Sequence, residues 1–348
     1  MIILGIETSC DETSAAVVKD GILLSNTISS QVVHYKFGGV VPELASRAHQ
    51  TLIIPVVEET LKIANVNKEQ LNGVAAVYGP GLIGSILVGL SFGKGLALSL
   101  GIPFVGINHL EGHIYSNLVE EPKPQFPFIN LTISGGHTQI VLVRAPLEYS
   151  LLGQTRDDAV GEAFDKVAKM LGIGYPGGPL IDELAKEGNP TEIYFPRPYI
   201  NDTSLDFSFS GLKTSVLYYL KKSEFKQNEE GEPALRVGSI ERKIVADICA
   251  SFQTSVVDVL IHKAITAAKS NKIGNITVAG GVAANSELRR RLKEESKRYN
   301  IEVHFPKGEY CTDNAAMIAM AGYDRLSKNL NSPLNLAAYP NLSLSLIG

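Results

Sequence analysis

The sequence predicts a two-lobed α/β protein built on a duplicated domain. A β-rich run, a turn of hydroxyl and small residues and a second β-rich run occur first around Thr8-Ser9-Cys10-Asp11-Glu12-Thr13-Ser14. The same device returns around Ser134-Gly135-Gly136-His137-Thr138, in an otherwise dissimilar setting. A third observation is the strand, Gly280-Gly281 turn and helix over 276–298, an arrangement that lets backbone approach an adenine or ribose. Hydroxyls and exposed N–H groups in such turns suit phosphate, so the halves are expected to grip a nucleotide between them. The 348 residues suffice for two cores. The proline-spaced segment 121–127 sets the expected cut, with 1–120 as the first lobe and 121–348 as the second, whose last helix can return to the first.

A content of 45% hydrophobic and 20% charged residues is that of an ordered globular protein. Thirty-two basic against 36 acidic residues leave a net charge of −4, so a polyanionic partner has to be met by a local patch or another subunit. No basic leader precedes the first strand and no apolar run is read as membrane-spanning, so a cytoplasmic protein without membrane association is expected. Cys10, Cys249 and Cys311 are too few and too widely spaced for a disulfide framework or a zinc ribbon and read as reduced thiols.

Element by element, 2–7, 15–18 and 22–30 read as a strand meander, with Asp11 and Glu12 in the first turn suited to a metal-bound or aminic partner. Leu44, Ala48, Leu52 and Val56 predict a long helix over 41–64, kinked at Pro55. Strands at 74–77 and 104–107 flank a glycine-spaced helix at 82–100. Beyond the cut, strands at 128–133 and 139–143 enclose the second polar turn, and 162–171 is an amphipathic helix. Residues 174–179 read as a non-helical loop whose glycines can pass close to a flat ligand, with Asp182 one turn on. A helix at 212–222, a mobile surface loop at 223–238 and a long helix at 240–268 follow. The helix 286–298 carries Arg289, Arg290, Arg291 and Lys293 as candidates for phosphate contacts, and Lys221 and Lys222 offer a second patch. After a strand at 302–305, Thr312 or Asp313 is expected to cap the last helix.

The chemistry centres on Asn108-His109-Leu110-Glu111-Gly112-His113. Asn108 is a good N-cap, and histidines four apart on a helix lie about 40° apart around the axis, so both imidazoles can reach one ion. The segment follows the carboxyl end of a strand, where open α/β sheets bind ligands. Asp313, a carboxylate at a helix start, can turn inward as a third ligand. Glu111 falls roughly 200° around the helix from His109 and points away, which argues against a metalloprotease, whose His-Glu-x-x-His motif sets the glutamate next to the first histidine.

These segments, with Ile6-Glu7-Thr8-Ser9-Cys10-Asp11-Glu12-Thr13, Val41-Pro42-Glu43-Leu44-Ala45-Ser46-Arg47, Glu162-Ala163-Phe164-Asp165-Lys166, 175–179, 207–214, 280–285 and 311–318, together resemble the universal tRNA N6-threonylcarbamoyladenosine transferase family, bacterial type. The match runs in order over nearly the whole chain. It departs in the loop 223–238 and at Tyr339-Pro340-Asn341-Leu342, where the family usually carries an arginine. The resemblance implies the actin-like, sugar-kinase and Hsp70-like ATPase fold. It implies transfer of threonylcarbamoyl from threonylcarbamoyl-adenylate to N6 of the adenosine beside the anticodon, in tRNAs reading codons that begin with A, with release of AMP. It implies His109, His113 and Asp313 as metal ligands, and Thr132, Ile133, Ser134, Gly135, Gly136, Asp165, Gly178, Asp182 and Asn285 as adenylate contacts. A paralogous dimerisation subunit and a small ATPase subunit are the implied partners.

Adenine N6 is a poor nucleophile, so a two-His, one-carboxylate ion acting as a Lewis acid fits the reaction, with iron the expected metal and zinc or magnesium the alternatives. The Ser134–His137 turn offers N–H donors, and Asp11 or Glu12 is the expected base. The competing readings are a small-molecule kinase of the same fold and a non-enzymatic ATP-regulated scaffold.

Overall fold

A computed structural model of the chain describes residues 1–200, 203–222 and 239–344, so the loop expected at 223–238 lies outside the described residues. Internal contacts divide the chain into two units, one of Met1–Phe126, Val143–Ser150 and Pro306–Gly348, the other of Pro127–Leu142 and Leu151–Phe305. A single cut at 120 differs from these contacts chiefly at 143–150 and at 306–348, both of which count with the first unit.

In the first unit β1 (Ile2–Glu7), β2 (Glu12–Lys19) and β3 (Ile22–Ser30) form a meander that β4 (Gly73–Gly79) and β5 (Phe104–Asn108) extend into one sheet, ordered β3-β2-β1-β4-β5. β1 runs antiparallel to β2 and parallel to β4, and β4 is parallel to β5. The first polar turn is shorter than expected, because Glu12 and Thr13 already pair with Ser30 and Ser29 and gain ladder partners there. Period-two alternation sorts the apolar side chains. Leu4, Ile6, Ala15, Val17, Val74 and Ala76 pack with α1 (Pro42–Ile63) and α2 (Ile83–Leu100), while Ile3, Ala16, Val18, Ala75 and Val77 belong to a separate cluster. β5 delivers the chain directly into α3 (His109–Tyr115).

The second unit has its own sheet of β6 (Phe128–Ile133), β7 (Thr138–Ala145), β8 (Glu148–Gln154), β9 (Asn275–Ala279) and β10 (Glu302–His304). Read from the β8 edge its order is β8-β7-β6-β9-β10, the same succession along the chain as in the first sheet, with β6–β9 and β9–β10 again parallel. That shared order is the duplication. β8 was not foreseen: it is a half-exposed edge strand containing Glu148, Ser150 and Gly153, and lacks a buried apolar run. Its helices are α4 (Val160–Leu171), α5 (Gly177–Ala185), α6 (Ser210–Lys222), α7 (Ser239–Asn271) and α8 (Ser286–Lys297). α5 corrects the expectation of a non-helical 174–179 loop. Pro179 stands in the helix's first turn, where its missing N–H has no intrahelical partner to lose.

The chain returns to the first unit as α9 (Ala315–Ser327), whose Ala315, Ala316, Met317, Ile318, Ala319 and Met320 complete the second core cluster with Tyr115. Its cap is Asn314, accepting from the Met317 N–H at 3.1 Å, rather than Thr312 or Asp313. Ser14 Oγ and Asn26 Oδ1 accept from the Ala315 and Ala316 N–H groups at 2.9 and 3.2 Å. Capping therefore makes no demand on the Asp313 carboxylate. Contrary to the reading of the apolar runs, α2 and the Arg242–Asn271 stretch of α7 are each long and apolar enough to cross a membrane. Of the 18-residue apolar window in the α7 stretch, 83% is buried within the protein, as in a core helix.

Candidate metal centre and nucleotide loops

Asn108 caps α3 as expected, its side chain accepting from the Leu110 N–H at 2.8 Å. The single turn between His109 and His113 brings their ring centroids to 4.6 Å. Asp313, immediately before the α9 cap, sets Oδ1 3.5 Å from His109 Nε2 and 3.4 Å from His113 Nε2. One ligand atom from each of the three residues lies within 4.8 Å of the others. Two residues that sequence reasoning missed orient the first histidine. Its Nδ1 donates to Oε2 of the fully buried Glu7 at 3.0 Å, and Ser9 Oγ lies 3.1 Å from the same nitrogen. This is the carboxylate-to-histidine arrangement that turns the other nitrogen towards a metal. Glu7 sits in the Ile6–Thr13 segment, but only the fold shows its side chain meeting His109.

The electrostatics favour a cation. Burial pushes His109 down, but the Asp313 and Glu7 carboxylates outweigh it and lift the imidazole to about 9. Burial and then the neighbouring His109 push His113 down, so its ring is neutral and ready to donate a lone pair. His113 is fully buried, yet its Nδ1 has no hydrogen-bond partner among the described residues and its Nε2 only faces Asp313. A buried imidazole left in that state is costly unless something else occupies its lone pair. Burial together with the carboxylates of Asp313, Asp11 and Glu7 pushes Glu12 up to about 10. Burial and the same acidic surroundings hold the Cys10 thiol far above its ordinary value, which removes it as a nucleophile. The donor set and its excess of negative charge thus fit a divalent ion held by His109, His113 and Asp313.

Glu111 is buried and engaged elsewhere. Arg325 Nε donates to both its oxygens at 3.1 Å, Arg325 Nη2 donates at 2.9 Å and the Tyr149 hydroxyl at 3.1 Å. A glutamate so held cannot serve as a protease base.

In the second unit the β6–β7 turn closes through the Ser134 N–H to the His137 carbonyl at 2.8 Å, leaving Gly135 and Gly136 exposed. Thr132 and Ile133 are fully buried, and the Thr132 hydroxyl donates to Asn130, so these two offer a ligand little beyond backbone. Gly280 has φ +88°, and a Cβ there would come within 2.5 Å of the Ile133 carbonyl oxygen. The β9 turn is thereby laid against the end of β6. Asp165 accepts from the Gly177 N–H at 2.7 Å and so caps α5, while Gly178 beside it faces open space. Asp182 accepts from Ser286 N–H and Oγ and from Asn285 Nδ2, and Asn285 in turn caps α8. The structure therefore gathers Asp182 with Asn285, and Asp165 with Gly178. The expected phosphate-binding face of α8 is partly spent: Arg290 pairs with Glu287 and Glu294, and Arg291 with Asp258 and Glu295.

The family model for tRNA N6-adenosine threonylcarbamoyltransferase matches residues 22–320. A protein of that name from Thermosipho africanus is 50% identical over 345 residues, spanning 99% of this chain and all of the relative. One from Clostridium botulinum is 52% identical over 344 residues, spanning 98% and 97% of the two chains. Among solved structures, T. kodakarensis HypF superposes with a TM-score of 0.59 at 12% identity over 93% of this chain and 47% of its own. Component A of (R)-2-hydroxyglutaryl-CoA dehydratase from Acidaminococcus fermentans gives 0.51 at 16% identity over 94% and 99%. At such low identity these structures speak for the fold alone, the actin-like ATPase fold. Half-identity from end to end decides the rest: the chain belongs to the tRNA N6-adenosine threonylcarbamoyltransferase family.

Proposed function

We propose that this chain transfers a threonylcarbamoyl group from threonylcarbamoyl-adenylate to N6 of the adenosine next to the anticodon, in tRNAs that read codons starting with A. The family match over 22–320 carries this reading, and the His109, His113 and Asp313 cluster supports it. In the reaction N6 forms a bond to the carbamoyl carbon, the bond from that carbon to the phosphate oxygen breaks, and AMP leaves with the electron pair. The N6 proton passes to Asp11, just before β2, or to Glu12 at its start, the latter once a bound ion has offset the burial and the repulsion from Asp313 that keep it protonated. A divalent ion at the three ligands, iron being our assignment and zinc or magnesium the alternatives, supplies Lewis acidity to a carbonyl oxygen. Glu7 and Ser9 keep His109 aimed at that position. In the second unit the turn of buried Ser134 and exposed Gly135 and Gly136, the end of β6 at Thr132 and Ile133, and the open face at Gly178 hold the nucleotide half of the adenylate, with Asp165, Asp182 and Asn285 fixing those loops. Work in the cytoplasm with a paralogous dimerisation subunit and a small ATPase subunit completes the proposal. The test is mass analysis of tRNA nucleosides after incubation with the purified chain, those partners and the adenylate. Appearance of N6-threonylcarbamoyladenosine is expected, and its absence in favour of sugar or acetate phosphorylation with ATP would replace this reading by a kinase.

A further inference from the structure

We propose that the buried Glu111–Arg325 pair is the positioning element of the metal centre, fixing the seat of α3 on α9 and thereby the aim of the His113 ring at Asp313. The inference rests on the reading of His109, His113 and Asp313 as metal ligands. His109 has local guides in Glu7 and Ser9. His113 has none: without a hydrogen bond on Nδ1 among the described residues, its ring points wherever α3 carries it. α3 cannot hold itself in place, since it has seven residues and isolated helices shorter than about 12–15 are marginal in water. Its two histidines must nevertheless meet a carboxylate that sits at the start of another helix, far along the chain.

Three features tie α3 to α9. Gly112 rides so close that a Cβ would come within 2.9 Å of Ile318 Cδ1. The Tyr115 hydroxyl donates to Asp324 at 2.7 Å. Between them Glu111, with no exposed surface, takes the fork of Arg325 and the hydroxyl of Tyr149. Gly112 packing alone is apolar and permits sliding, whereas donors converging on one carboxylate specify rotation and height together. Net stability is a poor explanation for the pair, because burying a carboxylate and a guanidinium costs about as much as their attraction returns. Apolar residues of similar volume would fill the same space.

The experiment uses that equivalence. Co(II) is titrated into the full chain, into the double variant Glu111→Met/Arg325→Met and into Arg325→Lys, with visible absorption reporting coordination and thermal unfolding run on the same samples. The double variant is expected to unfold near the parent's temperature, yet to bind Co(II) about 10- to 100-fold more weakly and with an altered spectrum. Arg325→Lys, which keeps the charge but loses the fork, is expected to fall between. If either variant binds Co(II) with the parent's affinity and spectrum, the pair only fills space and the inference is overturned. His113→Ala sets the floor: a parent that binds Co(II) no better than this variant overturns the ligand reading, and the inference with it.

Discussion

If His109, His113 and Asp313 hold a metal as proposed, its binding has to expel protons, and the electrostatics around His109 and Glu12 point to two. In the metal-free protein His109 is held at about 9 and Glu12 at about 10, so both carry a proton throughout the neutral range. His113 is pushed down and contributes none. A divalent ion takes the His109 lone pair directly and replaces, for Glu12, the carboxylate repulsion that held its proton. Two protons displaced make apparent affinity rise about 100-fold per pH unit between pH 6 and 8, falling to about tenfold per unit above pH 9 and flattening above pH 10. Glu12→Gln removes one titrating group and should leave a dependence of about tenfold per unit across the neutral range. The assay is competition of Zn(II) or Co(II) against a chelator of known pH dependence, with calorimetry in buffers of different ionisation enthalpy to count the protons. Release of no protons at pH 7 would mean that the cluster is already discharged without an ion, and the electrostatic case for a cation site would fail.

Asp313→Ala should leave adenylate binding largely intact while lowering single-turnover transfer at saturating adenylate, since a group acting mainly in the transition state costs turnover more than affinity; transfer at the parental rate would make the ion structural. Gly178→Val should fold normally, because Gly178 faces open space, yet bind AMP more weakly, whereas Gly177→Ala should lose stability from a Cβ placed 2.7 Å from Ala168 Cβ. Calorimetric AMP binding beside thermal unfolding separates the two, and equal AMP affinity in Gly178→Val would place the nucleotide elsewhere. Burial opposes ionisation at Asp157, but the Ser208 hydroxyl and the Phe209 and Ser210 amides outweigh it and lower its folded value. Its stabilisation is thus present above the ordinary carboxylate value near 3.8 and disappears as pH falls through the lower folded value. Asp157→Ala should cost about 1 kcal/mol at pH 7, a modest figure for an exposed cap at the start of α6, and less at pH 3; a cost that grows on acidification would refute the assignment.

Where a physical preference is satisfied within one or two turns of chain, the sequence was informative. Asn108 capping α3, the histidine pair one turn apart, and the alternation of Ile3 and Leu4 or of Ala75 and Ala76 across the sheet all follow from local geometry. α5 was missed because the glycine and proline signals around 174–179 mark both a loop and a helix start, and only the Asp165 cap on the Gly177 N–H decides between them. The cap of α9 was placed on Thr312 or Asp313 because both are good cap residues. Asn314 wins by reaching Met317 while Ser14 of β2 and Asn26 of β3 take the two amides before it, partners 301 and 290 residues earlier in the chain.

The same distinction separates ligands from the groups that aim them. A helix places His109 and His113 together whatever surrounds it, so the pair can be read from spacing. The carboxylate on His109 Nδ1 comes from β1, a hundred and two residues earlier, and the guanidinium on Glu111 comes from the last turn of α9, two hundred and fourteen residues from its partner. Nothing local marks Arg325 as different from any cation that ends a helix, where a basic residue is favoured by the helix dipole alone. Helical geometry did show that Glu111 faces away from the histidines, and this excluded it as a base. What that geometry could not supply was the reason a carboxylate should be buried there. The fold offers one: Glu111, turned away from His109 and His113, is where Arg325 of α9 grips α3, and on the proposed reading the charge that takes no part in the chemistry is the one that aims the residues that do.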